Sequence, residues 1–252
     1  MKDFFNYRVL IFSFLILTPT ITNAQDSLIA LAEKHNLNYP IDEVSTSKIK
    51  RFEAVLVVNE LQTNSLIVML RTNEKRLREL GILSRSSEIT AKQRSGIEAK
   101  IAAMRAKNET VNNALINSFK ESYGFSKVYF IYDTSLTSLK NGIKNGIFVN
   151  ENGEVDKSIE LTTANYYFCN FTLVSRSNES EGLVIYDANI ERIAAPFPTV
   201  SVAGSSGLNM LMQILTSDNN YQKRAITKDV EKLQKNLDLL LEKGNLEFGK
   251  NQ

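Results

Sequence analysis

The chain has 252 residues, 43% of them hydrophobic, and a formal net charge of +2. That length allows one domain with a real core or at most two small ones, and the ordinary apolar content excludes a chain disordered throughout. One cysteine (Cys169) excludes an internal disulfide, and one histidine (His35) excludes a histidine-rich zinc site and leaves any Ser-His-Asp or Cys-His pair a single candidate.

Residues 1–24 read as a secretory signal peptide. Lys2 and Arg8 supply positive charge, residues 9–17 form an apolar run too short to span a bilayer, Pro19 breaks it, and Ala24 is the small residue at the cut. Gln25 is the expected new N-terminus. Residues 25–252 are then expected to be a single soluble globular domain, since no second apolar run reaches 18 residues. Cys169 lies far from the cut, so no lipid anchor is expected there. An exported chain without disulfides suits a bacterial periplasm or cell exterior. The sequons at Asn108, Asn170 and Asn178 are then accidental.

In chain order, residues 27–34 read as a short amphipathic helix, ended by Tyr39-Pro40. Residues 52–58 and 65–70 are apolar runs rich in valine and isoleucine. One helix through both would bury Asn59, Glu60 and Thr63, so two strands of a hairpin fit better, with a continuous helix as the alternative. Residues 73–80 read as a helix stopped by Gly81. A long helix follows from a Ser87 cap to about Ser122, closed by Gly124, with Ile97, Ile101, Met104, Val111, Leu115 and Phe119 as its stripe. Asn108 interrupts that stripe, which places it at the edge of a helix lying on a sheet. A coiled-coil seam with a register-setting asparagine is the alternative.

Residues 128–132 read as a strand, 135–140 as a short helix or turn, and Asn152-Gly153 as a hairpin turn. Residues 166–174 are largely apolar on both alternating faces, as in the centre of a covered sheet. Residues 182–186 and 190–194 flank Asp187-Ala188-Asn189 as another hairpin. Gly204-Ser205-Ser206-Gly207 reads as a loop with a serine cap, and residues 208–215 as a helix. The last helix runs from a Thr227 cap to Lys243, stopped by Gly244. The fold class expected is α/β or α+β, with one mixed β-sheet packed by a long central helix and a C-terminal helix.

Charge is unevenly placed. Residues 71–107 hold ten Lys or Arg against four Asp or Glu, and residues 150–191 hold two against eight. Arg71, Lys75, Arg78, Lys92, Arg94, Lys100 and Arg105 are therefore the expected binding face for an anionic envelope or extracellular partner, with another protein as the alternative. No aromatic residue interleaves with the cations between 71 and 107, which disfavours nucleic acid.

Two strands end alike, in Ile131-Tyr132-Asp133 and Ile185-Tyr186-Asp187. If those strands were parallel neighbours, both carboxylates would project from one sheet edge and could hold a hard cation. Turn and cap formation is the ordinary use of aspartate there. Cys169 reads as a small buried hydrophobe, and neither a resident metal nor a cofactor is expected. These features point to an exported, non-catalytic binding or envelope-associated module. The rivals are a carboxylate- or metal-dependent hydrolase centred on Asp133 and Asp187, and a structural subunit assembling through its long helix.

Overall fold

The computed structural model describes residues 28–40, 45–175, 180–198, 200–201 and 219–249. In chain order its elements are α1 (28–34), α2 (Thr46–Thr63), β1 (Ser65–Leu70), α3 (Glu74–Ser84), α4 (Ala91–Ser122) and β2 (Lys127–Tyr132). A 3-10 turn (Asp133–Ser135), α5 (Leu136–Lys140), β3 (Tyr166–Ser175), β4 (Ser180–Tyr186), β5 (Val200–Ser201) and α6 (Asn219–Phe248) follow. The chain forms two compact units. One takes the described residues up to Glu60, Ala194–Phe197 and the stretch from Leu239 on; the other takes Leu61–Ile193 and Pro198–Asp238.

The larger unit is built on a mixed sheet of order β2-β1-β3-β4-β5. β1 is apolar from Leu66 to Leu70 with all six residues buried, and it pairs in parallel with β2 on one side and β3 on the other. β4 runs antiparallel to β3, and β5 antiparallel to β4. The step from β1 to β2 goes one way across the sheet, and the step from β2 back past β1 to β3 goes the other. Right-handed crossovers then require the two connections to lie on opposite faces. They do: Phe119 of α4 meets Phe130 edge-on at 6.4 Å on one face. On the other, Ile67, Tyr129, Ile131 and Phe168 pack with Leu139, Phe148 and Leu161 of the second connection.

α6 buries Ile226, Val230, Leu233 and Leu237, a helical stripe. It is tied to α4 by the Ser118 and Thr227 hydroxyls, 2.9 Å apart, and to the turn after α4 by the Gly124 N–H, which donates to Gln234 Oε1 at 2.8 Å. The protein is thus of the α+β class, one mixed sheet packed by its long central helix and its C-terminal helix.

In the smaller unit, α1 and α2 share a core of Ala32, Leu37, Phe52, Val55, Leu56 and Phe248. Phe52 sits between Tyr39 and Phe248, edge-on to each, at 5.3 and 5.2 Å. The backbone closes the unit where Leu37 bridges Gly249.

Several local expectations are corrected. Residues 52–58 are helical, not a hairpin strand, because α2 continues to Thr63. Its buried Asn59 and Glu60 have partners: Asn59 Nδ2 donates to Val55 O at 2.8 Å and to Asn245 Oδ1 at 3.3 Å, and Glu60 meets Lys34 and His35. α3 runs past Gly81 to Ser84. α4 starts at a Thr90 cap rather than Ser87, in a capping box with Gln93. The hairpin expected around Asp187 forms, with Arg192 bridging Tyr186 and Ile193 N donating to Ile185 O at 3.2 Å, but residues 190–194 make no full strand.

Thr227 lies inside α6 and donates to Lys223 O at 3.0 Å instead of capping. Gly244 does not stop α6. It is buried against Val55, where a Cβ would come 2.6 Å from Cγ1 and closer still to Cγ2. The turn at Asn152-Gly153 forms as expected, with Val149 bridging Val155 and Gly153 at φ 80°. The expected signal segment, the loop at 204–207 and the helix at 208–215 lie outside the described residues.

Candidate functional site

The basic stretch of the sequence folds into a helical hairpin. β1 ends at Leu70, and the next three residues are held by side chains from both sides. Asn112 of α4 accepts from Arg71 N and donates to Arg71 O, both at 2.9 Å. Asn108, one helical turn earlier, donates to Thr72 O at 2.7 Å and accepts from Asn73 Nδ2 at 2.6 Å. Asp133, just past β2, accepts from Thr72 N at 3.2 Å and from Thr72 Oγ1 at 2.5 Å. Asn73 then turns the chain with φ 54°, a left-handed conformation that asparagine tolerates. This latch fixes the direction in which α3 leaves the sheet.

Beyond the latch the two helices bury little. α3 has no buried residue, and every buried residue of α4 lies at Asn108 or later. The first 17 residues of α4, a rise of roughly 25 Å, have α3 as the helix packed along them. By spacing, the half-buried Leu77, Leu80, Ile97, Ile101 and Met104 form the seam between them.

Around this seam Lys75, Arg76, Arg78, Arg85, Lys92, Arg94, Lys100, Arg105 and Lys107 are exposed. Among the described residues none of these nine enters an ion pair. At the far end, Ile82 and Leu83 are 68% and 47% exposed.

Six of the seven residues expected on the basic face are therefore on this arm and exposed. Arg71 is not. Its guanidinium is half-buried, pairs with Glu181 at 2.9 Å, donates to Phe171 O and lies 5.1 Å over the Phe171 ring. It ties the end of β1 to β3 and β4, a use set by strand order. Arg76, Arg85 and Lys107 were missed by sequence reasoning although charge alone marks them. Ile82 and Leu83 were missed because Gly81 was read as the end of α3.

The two aspartates do not converge. β4 is antiparallel to β1 and β2, so Asp133 and Asp187 lie at opposite ends of the sheet. Register aligns Tyr186 with Phe168, Phe168 with Ile67, and Ile67 with Tyr129. The carboxylates are thus three strand spacings and about five residues apart, roughly 20 Å. No cation or scissile bond spans that distance. Asp187 instead closes its turn, accepting from Asn189 N at 2.9 Å and Glu191 N at 2.7 Å.

Asn108, the first buried residue of α4, is engaged by the latch rather than by a coiled-coil seam, and Val111 is buried in the chain's own core.

His35 faces Glu60 through Nε2, and Lys34 Nζ reaches the same Oε1 at 2.6 Å. Burial alone would raise the Glu60 carboxyl; the hydrogen bonds and charges of Lys34 and His35 outweigh it and hold the carboxyl below its usual range. Cys169 is fully buried, and burial pushes its thiol up, away from nucleophilic chemistry.

A cavity of about 850 Å³ runs beside β2, between Phe119, Tyr123 and Ile159, with Lys120 paired to Glu151 at its rim. A smaller one of about 360 Å³ lies at the carboxyl ends of β1 and β2. Of the asparagines that line the smaller one, Asn108 and Asn112 are already engaged by the latch. Among the described residues no three His, Cys, Asp or Glu side chains gather as metal ligands, and no helix is long and apolar enough to cross a membrane. Comparison with models of known protein families, with curated proteins and with solved structures gives no match to this chain.

Proposed function

We propose that this chain is exported, with cleavage after Ala24, and acts outside the cytoplasm as a non-catalytic binding module. Its contact surface is the α3–α4 arm, and its partner is anionic, in the envelope or outside the cell. One observation carries this reading: nine exposed cations without ion-pair partners among the described residues stand on a hairpin that contributes nothing buried before Asn108. Four arm glutamates, Glu74, Glu79, Glu88 and Glu98, leave the arm strongly positive. A surface of this kind raises the local concentration of anions and speeds their association, and added salt screens the effect.

The test is binding to dextran sulfate at low and high salt, with wild type and a Lys92→Glu, Arg94→Glu, Lys100→Glu variant. All three residues are exposed, so the variant keeps the wild-type unfolding midpoint. Binding is expected to weaken at least tenfold in the variant and with salt. Binding indifferent to both salt and charge reversal removes the proposal. For export, N-terminal sequencing of the protein from fractionated bacterial cells is expected to begin at Gln25. A cytoplasmic chain beginning at Met1 refutes it.

A further inference from the structure

We infer that the anionic partner of the arm is a lipid bilayer surface, with Ile82 and Leu83 entering the boundary between headgroups and acyl chains. This rests on the arm being the contact surface. The α3–α4 tip combines two features that one partner must satisfy together. Ile82 and Leu83 are the apolar extremity of the hairpin, 68% and 47% exposed. Between residues 75 and 94 they are flanked by six cations, Lys75, Arg76, Arg78, Arg85, Lys92 and Arg94, against two carboxylates, Glu79 and Glu88.

A soluble polyanion would neutralise those charges but offers no apolar phase for the two aliphatic side chains. An anionic bilayer offers both, headgroups at the level of the cations and hydrocarbon a few ångströms deeper. The shape agrees: the apolar pair sits at the end of a hairpin, which suits a deformable planar surface.

The chain contains no tryptophan. Leu83→Trp therefore places a single fluorescent reporter at the tip. The experiment uses the protein isolated from the envelope fraction, its start read by sequencing. The probes are vesicles of phosphatidylcholine with and without phosphatidylglycerol, and dextran sulfate.

With phosphatidylglycerol present, binding is expected with a blue shift of the Trp emission, and dextran sulfate gives binding without a shift. An Ile82→Ser, Leu83→Ser variant is expected to lose about tenfold or more in vesicle affinity while its dextran sulfate affinity stays unchanged. Dextran sulfate binding with no vesicle binding, vesicle binding unchanged in the serine variant, or vesicle binding of the Leu83→Trp protein without a blue shift overturns the lipid assignment and leaves the basic-arm reading standing. Binding to neither probe overturns both. A concentration-dependent blue shift without vesicles assigns the tip to a second copy and overturns the lipid assignment.

Discussion

Asp229 lies on α6 with 4% of its surface exposed, and its Oδ2 has no hydrogen-bond partner among the described residues. Burial raises its carboxyl from 3.8 to about 6, against the opposing charge of Lys232. A folded-state pKa above the unfolded one favours the protonated form in the fold. The associated stability is full below about pH 4 and is lost as pH rises through about 6. A shift near two units corresponds to a ceiling of about 3 kcal/mol at neutral pH.

Asp229→Asn removes the charge while keeping the shape. It is expected to stabilise the protein by about 1–3 kcal/mol near pH 8 and by almost nothing near pH 4. Urea unfolding followed by circular dichroism at the two pH values reads the difference directly, and the melting temperature near pH 8 should rise by about 2–4 °C per kcal/mol. A variant destabilised equally at both pH values would show that the carboxylate is partnered, and the reasoning would fail.

Gly244→Ala should cost about 1–3 kcal/mol despite the better helix propensity of alanine, because the new methyl meets Val55; adding Val55→Ala should recover part of the loss in a double-mutant cycle. Glu60 has the opposite sign to Asp229. Its carboxyl is held low, so the stability it contributes is present above about pH 4.5 and lost as pH falls further. Glu60→Gln should therefore lower the neutral-pH unfolding midpoint and flatten its fall in acid, and an unchanged acid limb would contradict the contact with Lys34 and His35. Asn112→Ala leaves the half-buried N–H and C=O of Arg71 without this partner and should cost about 1–2 kcal/mol in denaturant unfolding. The exposed Asn113→Ala serves as its control, expected within about 0.5 kcal/mol of wild type.

Much of the fold was legible because its signals are local. The apolar run at 66–70, the run at 166–174 that is largely apolar on both faces and the Asn-Gly turn at 152–153 each depend on residues a few positions apart. So does the true start of α4, where Thr90 and Gln93 carry the capping-box spacing; Ser87 simply stood first. The charge contrast that marks the arm is also a property of the sequence alone. What it lacked was the outline: the overshoot of α3 past Gly81 carried Ile82 and Leu83 to the tip.

The decisions left to tertiary structure share one cause. A polar residue on an apolar stripe is permitted or forbidden by whatever faces it, and that partner is distant in sequence. Glu60 is buried in a helix because Lys34 and His35 arrive from the end of α1 and the turn after it, and Asn59 because Asn245 arrives from α6. Asn108 and Asn112 look like flaws in a stripe until the end of β1 is laid across them. Gly244 looks like a helix stop, yet Val55 requires its missing Cβ. Strand order decided the rest: with β1 and β3 between β2 and β4, and β4 reversed, it parted Asp133 from Asp187 and set Arg71 against Glu181. Periodicity, caps and charge belong to the chain, while the partners of its buried polar groups exist only once distant segments meet.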